Sequence, residues 1–190
     1  GLSALQIMNV CETRIGDGTY ITSLDPQEMT KPFEIIMLLA KPSLIEVFEM
    51  RELLEVGSIR LGAKNLTDEE LTELIRLASL GPDLIDSPQE FVRVDAEIHR
   101  MIANSSQNRV IRNIMDVLQR MIHISRYMTT SFVEVRRQAA VDHMAIVTAL
   151  ASGDITAAEE NMKIHLRNAL NIVMSFDEKI LTEQIIAKTE

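Results

Sequence analysis

The segment from Ser87 to Asn104, SPQEFVRVDAEIHRMIAN, carries the pattern from which both the fold and a candidate site can be predicted. Ser87, Pro88 and Glu90 have the order of an N-cap, a first helical residue and the acid of a capping box, so a helix is expected to begin here. At 3.6 residues per turn, one face of that helix is apolar at four positions, Phe91, Val94, Ile98 and Ile102. An amphipathic helix of this length favours a domain built by packing helices together.

An acid and an imidazole lie within this apolar face. Asp95 falls inside the stripe and His99 follows one turn later at its edge, so both side chains are expected to point into the core. A carboxylate removed from water is costly unless it is paired or coordinated. Two interpretations meet that requirement: a metal ion shared by Asp95 and His99, or an arginine that pairs with the acid beside an uncharged core histidine.

The composition indicates one sizeable helical core. The chain has 190 residues, of which 46% are hydrophobic, and it contains 11 Met, no Trp and only 4% aromatic residues. This length allows one domain with a small appendage. The 28 acidic residues outnumber the 19 Lys and Arg, for a net charge of −9, so the chain lacks the positive charge expected of a nucleic-acid binder.

Cysteine content and hydropathy place the protein in the cytoplasm. Cys11 is the single cysteine, which excludes an internal disulfide and fits a reducing compartment. The longest uninterrupted apolar run, Ile35 to Ala40, is far shorter than the ~20 residues that a membrane helix needs. We therefore expect no contact with a membrane.

The first 24 residues differ from the remainder. Leu2 to Met8 resembles the last turns of a helix, and two short strands, Cys11 to Ile15 and Thr19 to Thr22, flank the turn Gly16-Asp17-Gly18. A helix end and one hairpin cannot bury a core alone, so residues 1–24 are interpreted as the remnant of a small domain. Residues 25–190 are expected to form a separate helical domain.

Seven helices are predicted from residue 25 onwards. Six starts carry an N-cap residue followed three positions later by Glu: Asp25 with Glu28, Ser43 with Glu46, Thr67 with Glu70, Ser87 with Glu90, Ser131 with Glu134, and Thr156 with Glu159. A further helix between Asn108 and Met128 is indicated by apolar residues at helical spacing, Val110, Ile114, Val117, Met121 and Ile124. The breaks are short, which predicts an all-α antiparallel bundle preceded by the hairpin.

The four histidines differ in helical phase. His143 and His165 lie on the apolar sides of their helices, whereas His123 lies opposite the apolar stripe and is expected on the surface. Three helices would then direct four candidate ligands at a shared interior: Asp95, His99, His143 and His165. Three nitrogens and one oxygen suit Zn²⁺, and also Ni²⁺, Mn²⁺ or Fe²⁺ where water fills further positions. Separate core histidines with no metal are the alternative.

Arg51 has two interpretations of its own. It falls within the apolar stripe of the helix after Ser43, with Glu55 one turn later. A partly buried pair of Arg51 with Glu55 is the first interpretation. The second is an arginine fork offered to a ligand carboxylate beside the metal.

Three stretches together resemble GntR-type bacterial transcription regulators of the FadR subfamily, whose C-terminal effector domain is often called FCD. LSALQIMNVCETRIGDGTYIT, residues 2–22, is similar to the end of the recognition helix and the wing of a winged helix-turn-helix. VFEMRELLEVGSIRLGAKNLTDEEL, residues 47–71, is similar to the second helix of the effector domain. The order Asp95-x-x-x-His99, His143, His165 matches the acid and three histidines that bind metal in that family.

The resemblance implies a regulatory role and not an enzyme. It implies a homodimer that binds a divalent metal and a small organic acid, with the acid's carboxylate on the metal and on Arg51. The wing residues expected at DNA are Arg14, Gly16, Gly18 and Thr19. Because only the end of a winged helix-turn-helix is present, operator DNA is expected to bind only through a complete N-terminal domain.

Two other readings of the ligand set remain open. A metal-bound water with a lowered pKa would serve a hydrolase or lyase. No second inward acid is clearly placed as its general base, although Glu55 is a candidate. A purely structural metal, with every coordination position filled by protein, is the other reading.

Overall fold

The computed structural model describes residues 2–7, 10–22 and 43–186, and at residues 116–121, 124 and 176–186 it describes the backbone alone. The N-terminal part contains α1 (Leu2–Ile7) and an antiparallel hairpin of β1 (Cys11–Arg14) and β2 (Gly18–Ile21). Gly16 and Gly18 have φ angles of 81° and 138°, which favour glycine over any other residue. The helix end and the hairpin predicted for this part of the sequence are confirmed.

The chain from residue 43 onwards is helical. It consists of α2 (Leu44–Arg51), a π-helical segment (Glu52–Val56), α3 (Gly57–Gly62), α4 (Asp68–Ser79), α5 (Pro88–Ser105), α6 (Arg109–Thr130), α7 (Val133–Ala151) and α8 (Ile155–Ile186). Short 3₁₀ turns, Ala63–Asn65 and Gly81–Leu84, follow α3 and α4. Because α2 runs through the π segment into α3, the described part contains six of the seven predicted helices, and the one predicted from Asp25 lies outside it. The all-α prediction is confirmed.

None of the helices in the described ranges combines the length and the apolar composition needed to cross a bilayer. Several of these helices carry ion pairs on their exposed faces. In α4, for example, Arg76 Nε lies 2.6 Å from Glu73 Oε2. Such pairs are neighbours on one helix face at i, i+3 spacing.

Two of the predicted capping boxes are present in full. Ser43 accepts from the backbone N–H of Glu46, whose side chain accepts from the Ser43 backbone N–H at 2.7 Å. Thr67 and Glu70 make the same reciprocal pair, with the Thr67 backbone N–H 2.9 Å from Glu70 Oε2. These bonds satisfy two amides that the first turn of each helix otherwise leaves unpaired.

The capping box predicted for α5 is wrong, although the helix does begin at Pro88. The Ser87 side chain makes no capping hydrogen bond, and the Ser87 backbone lies at φ −123°, ψ 74°, away from the usual extended N-cap conformation. Glu90 pairs instead with Arg93, whose Nη2 lies 2.7 Å from Glu90 Oε2. A nearby guanidinium therefore outcompetes the backbone amide for this carboxylate.

The caps predicted at the starts of α7 and α8 are also wrong. Ser131 closes α6, because its hydroxyl donates to the carbonyl of Met128 at 2.6 Å. At α8 the cap is Asp154, not Thr156, and the Asp154 carboxylate accepts from the backbone N–H of Ala157 at 2.9 Å. An ionised carboxylate is the stronger acceptor for a helix N-terminus, where the backbone dipole favours negative charge.

The core lies between α5 and the hairpin of α7 and α8. The four apolar residues that define the stripe of α5 are all buried, as predicted: Phe91, Val94, Ile98 and Ile102. α5 contacts α3, α4, α6 and α7, so it is central to the described bundle. Any polar side chain on its buried face is therefore enclosed by other helices.

The buried face of α6 is not the predicted one. Val110 and Ile114, assigned to the inward stripe, are 66% and 41% exposed, whereas Met115 and Ile122 are buried. The same inward face carries four buried polar residues, Ser125, Arg126, Thr129 and Thr130. Because α6 has apolar residues on more than one side, periodicity alone could not decide which side meets the core.

We predict that Gly62→Ala destabilises the bundle. A Cβ at Gly62 would overlap the backbone of Ser105 and Ser106 at the end of α5, so the two segments must separate. Overpacking of this kind costs about 1–3 kcal/mol. Urea unfolding followed by circular dichroism measures the loss.

Gly57→Ala is the matched control, because a Cβ there meets nothing within 4 Å. This substitution lies in a helix and is expected to raise the free energy of unfolding by about 0.4–1 kcal/mol. Equal effects of the two substitutions would contradict the close approach of α3 to α5.

Candidate metal centre

The buried face of α5 presents Asp95 and His99 one turn apart, as predicted. Asp95 is 4% exposed and His99 is 1% exposed. Oδ1 of Asp95 lies 3.7 Å from Nε2 of His99. The neighbouring apolar residues of α5 are buried against other helices, so packing fixes the direction in which both side chains point.

α7 and α8 bring two further imidazoles to the same place. Nε2 of His143 lies 3.3 Å from Oδ1 of Asp95, and Nε2 of His165 lies 3.2 Å from Nε2 of His99. One ligand atom from each of the four residues lies within 4.8 Å of the others, and all four residues are buried. His123 is exposed on α6 and takes no part in this cluster.

The four side chains fit a divalent cation. Two nitrogens bound to one tetrahedral Zn²⁺ at about 2.0–2.1 Å would be roughly 3.3 Å apart, close to the 3.2 Å between the two Nε2 atoms of His99 and His165. Nε2 of His143 is buried and has no hydrogen-bond partner among the described residues. A buried polar atom without a partner is costly, and a cation bound to this nitrogen would remove that cost.

Glu55 contacts His99 on the side of the ring that faces away from the cluster. Its Oε2 hydrogen-bonds with Nδ1 of His99, and its Oε1 accepts from Nε of Arg51 at 2.8 Å. Burial alone would raise the pKa of Glu55, but Arg51, His99 and Arg126 outweigh burial and hold that pKa well below its usual range. Burial lowers the pKa of His99 to about 3, so this imidazole is uncharged at neutral pH and free to act as a ligand.

Arg51 is paired with Glu55, the first of its two predicted interpretations. Arg51 and Glu55 are 2% and 1% exposed, and the Arg51 guanidinium also lies 5.0 Å from the ring centroid of Phe48. Glu55 belongs to the π-helical segment Glu52–Val56, a local widening of the helix that occurs frequently at functional sites. The contact with an effector proposed for Arg51 remains a prediction.

Asp142 occupies the corresponding position behind His165. Its Oδ2 lies 3.6 Å from Nδ1 of His165, and its two oxygens accept from the side-chain amides of Gln138 at 2.8 Å and Asn168 at 3.1 Å. Burial would raise the pKa of Asp142, but the contacts with His165, Gln138 and Asn168 lower it. Sequence reasoning missed this acid, although its spacing of one residue before His143 is visible.

Arg126 is a second buried charged residue beside the cluster that the sequence analysis did not find. It is 3% exposed, and its Nε lies 2.9 Å from Oδ2 of Asp95. The N–H is not directed at that oxygen, so the two groups form an ion pair in which neither atom has a hydrogen bond within the described residues. Burial and the nearby Arg51 lower the pKa of Arg126 to about 10, which leaves it charged at neutral pH.

A signal for Arg126 is present in the sequence. Polar residues recur at 125, 126, 129 and 130, which is helical spacing for one face of α6. The sequence analysis followed the apolar residues of this helix and assigned no direction to that face. The paired arginine foreseen as an alternative to metal at Asp95 is therefore present, beside the histidines and not in place of them.

The residues predicted to form a DNA-binding wing, Arg14, Gly16, Gly18 and Thr19, lie in the N-terminal hairpin. Arg14 is bound within the hairpin, with its Nη2 2.5 Å from Glu12 Oε1 and its guanidinium over the ring of Tyr20. Oγ1 of Thr19 lies 3.0 Å from Oγ1 of Thr13. No nucleic acid contact follows from these distances, so the assignment of Arg14, Gly16, Gly18 and Thr19 to DNA remains a prediction.

A groove of about 600 Å³ lies at the surface, between the Gly81–Leu84 turn and α7. Pro82, Ile85, Arg137 and Val141 are among its lining residues. None of the four clustered ligand residues lines it, so the groove and the cluster are separate features.

Comparison with known proteins agrees with this architecture. The FCD domain model matches residues 46–168, a range that contains all four clustered residues. The HTH-type transcriptional regulator LutR of Bacillus subtilis is 27% identical over 190 residues, covering 94% of this chain and 84% of that protein. The HTH-type transcriptional regulator YcbG of the same organism is 30% identical, covering 94% of this chain and 74% of that protein.

Solved structures give the same result. Streptococcus agalactiae GntR matches with a TM-score of 0.59 and 25% identity, covering 88% of this chain and 77% of that one. The metal-free FCD domain of TM0439 matches with a TM-score of 0.55 and 25% identity, covering 66% of this chain and 87% of that one. The chain therefore belongs to the FCD-domain family of GntR-type transcription regulators.

Proposed function

We propose that this chain senses a small carboxylate through a divalent metal ion, and that this binding changes how the regulator engages DNA. Asp95, His99, His143 and His165 would hold the ion. The observation that carries the proposal is the convergence of these four buried ligand atoms within 4.8 Å. A bound divalent ion would supply a Lewis acid with affinity for anionic oxygen. The FCD family and the metal-free description of one matched structure support this reading.

The balance of buried charge favours a monoanionic effector. The charged groups in and beside the cluster are two guanidinium groups and three carboxylates: Arg51, Arg126, Glu55, Asp95 and Asp142. With the uncharged imidazoles that metal ligation requires, these groups sum to one negative charge. A divalent ion changes the sum to one positive charge. Uncompensated charge is expensive in a bundle interior, so one carboxylate would restore neutrality.

Arg126 is better placed than Arg51 to receive that carboxylate. The Nε of Arg51 is hydrogen-bonded to Glu55, whereas Nε and Nη2 of Arg126 have no hydrogen bond within the described residues. Arg126 also contacts the metal-ligand candidate Asp95, so a carboxylate on the metal lies within reach of its fork. Arg51 would then act on the effector only indirectly, through Glu55.

The hydrolase or lyase reading is not favoured. Glu55, the base left open by the sequence, is bound to Arg51 and to the outer nitrogen of His99, so it does not face the cluster. Asp142 likewise lies at the outer nitrogen of His165. The matched relatives are transcription regulators, which also favours sensing over turnover.

A homodimer is proposed through the outer face of α6. Val110 and Ile114 are exposed, apolar and one turn apart, whereas the more inward Met115 and Ile122 are covered by this chain's own helices. Self-complementary apolar helix faces are a common way to form a twofold dimer. Operator DNA would be bound through a complete winged domain, to which the hairpin contributes Arg14, Gly16, Gly18 and Thr19.

We expect about one divalent metal ion per chain in protein purified without chelator and reloaded with Zn²⁺. His165→Ala removes one of four ligands and should strongly reduce the metal content measured by elemental analysis. His123→Ala is the matched control and should retain it, because His123 is exposed outside the cluster. Equal metal content in the two variants would contradict the ligand assignment.

Removal of the metal should lower the melting temperature. The ligands come from three helices, and an ion that binds only the folded chain stabilises it by mass action, by about 4 kcal/mol at a free concentration 1,000 times Kd. Thermal denaturation with and without chelator measures the shift. The chelator should leave His165→Ala nearly unaffected, which separates loss of bound metal from a general chelator effect.

We expect Arg126→Lys to weaken carboxylate binding about tenfold or more while the metal is retained, because an ammonium cannot reproduce a bidentate fork. Calorimetry of the zinc-loaded protein with small hydroxy monocarboxylates, and with dicarboxylates for comparison, measures affinity. Arg51→Lys is the matched control, expected to lower stability and to change affinity less. A ligand that binds equally well after chelation would refute the metal-based mechanism.

Ile114→Glu should shift a dimer to monomer in sedimentation at micromolar concentration, because it buries a charge in the proposed α6 interface. Val141→Glu is the control, since Val141 is 65% exposed on α7, a different helix. A wild-type chain that sediments only as monomer would count against the dimer.

A further inference from the structure

We infer that Glu55 and Asp142 are positioning residues that hold a proton on Nδ1 of His99 and His165 and so direct both Nε2 lone pairs into the cluster. The two acids lie behind two of the imidazoles, on different helices, and neither is a ligand itself. This inference rests on the proposed metal site and assigns roles to residues outside it. It also explains why Arg51 is buried without contacting the cluster.

Glu55 behaves as a pure acceptor. One of its oxygens is occupied by Arg51 Nε at 2.8 Å, and the other contacts Nδ1 of His99. A carboxylate paired with a guanidinium stays ionised, so the proton in the contact with His99 belongs to Nδ1. An uncharged imidazole carries only one N–H, and Nε2 of His99 must therefore present a lone pair.

Asp142 is surrounded by donors as well. Side-chain amides of Gln138 and Asn168 donate to it, and its Oδ2 lies 3.6 Å from Nδ1 of His165. That nitrogen has no hydrogen bond within the described residues, so a small rotation of the ring completes a bond that is otherwise missing. Nδ1 of His165 then carries the proton, and Nε2 of His165 presents the second lone pair.

With the protons of His99 and His165 assigned to Nδ1, the contact between their two Nε2 atoms cannot be a hydrogen bond. Nε2 of His99 and Nε2 of His165 are 3.2 Å apart, a distance that would suit a hydrogen bond if one of them carried a proton. With both protons held on the outer nitrogens, two lone pairs face each other instead. Such an arrangement is repulsive between buried side chains and is relieved by a cation between them.

The same reasoning gives Arg51 a function. Arg51 keeps Glu55 ionised, and Glu55 fixes the tautomer and the ring orientation of His99. The chain Arg51, Glu55, His99 therefore connects the π-helical segment after α2 directly to the ligand cluster. Outer carboxylates of this kind raise the basicity of a ligating histidine as well as orienting it.

The test uses Asp142→Asn and Glu55→Gln, which keep the shape of each side chain and remove its charge. An amide can present either its oxygen or its NH₂ group to Nδ1, so it no longer specifies one tautomer. Glu97→Gln is the matched control, because Glu97 lies on α5 between the two α5 ligands but pairs at the surface with Arg100, at 2.5 Å. Circular dichroism melting checks that each variant is folded.

Three readouts are measured on the full chain. Competition with a chromophoric chelator gives the Kd for Zn²⁺, the absorption spectrum of Co²⁺-loaded protein reports ligand geometry, and long-range ¹H–¹⁵N spectra of metal-free protein report the histidine tautomers. We expect Nδ1–H forms for His99 and His165 in the wild type. Zn²⁺ affinity should fall 10- to 100-fold in each variant, with an altered Co²⁺ spectrum, and the control should match the wild type.

Glu55→Gln removes the partner of Arg51 and is the variant more prone to misfold, whereas the neighbours of Asp142 are uncharged amides. Asp142→Asn and the wild-type tautomers therefore suffice for the test. A wild type that binds Zn²⁺ while Asp142→Asn keeps the same Kd and Co²⁺ spectrum overturns the inference and leaves the metal site standing. Nε2–H tautomers of His99 and His165 in the metal-free wild type would also overturn the inference and leave the metal site standing. A wild type that binds no divalent ion overturns the proposed function itself.

Discussion

The packing of this bundle depends on four charged side chains that are buried away from solvent. Asp95, Glu55, Arg51 and Arg126 are each less than 5% exposed, and each would cost several kcal/mol if it were buried alone. Their positions compensate one another: Arg51 pairs with Glu55, and Arg126 with Asp95. The helices that carry them must therefore pack so that all four groups meet, which fixes α2, α5 and α6 around one point.

The apolar faces of the helices make that meeting possible. Asp95 and His99 are directed inward because Val94, Ile98 and Ile102 of the same helix are buried. The α5 pair was predictable from the sequence for this reason, since helical phase ties a polar residue to its apolar neighbours. The same holds for His143 and His165, and for the i, i+4 spacing of Arg51 and Glu55. The spacing of residues within one helix does not show which helices pack against one another, because that packing depends on the whole fold.

Two of the wrong capping predictions share a physical cause, which is competition from another partner for the glutamate. Glu90 and Glu159 were assigned to capping boxes, but arginines take both carboxylates, and Arg60 reaches Glu159 from a distant part of the chain. Arg126 was missed because α6 has two apolar sides, and the neighbours of α6 decide which one is buried. Ser43 and Thr67 were predicted correctly because, within the part of the chain that the structure describes, no other group hydrogen-bonds with Glu46 or Glu70.

α6 also connects the site to the surface proposed for dimerisation. Its inner face carries Arg126 beside Asp95, and its outer face exposes Val110 and Ile114. In the proposed function, a carboxylate bound to the metal would give Arg126 a hydrogen-bonded partner in place of the ion pair with Asp95, which has no hydrogen bond within the described residues. Coupling between two sites needs an element that both sites bias. A helix that touches the effector on one face and a second copy on the other meets that requirement, because a shift of α6 that carries Arg126 toward the effector would also move the dimer surface.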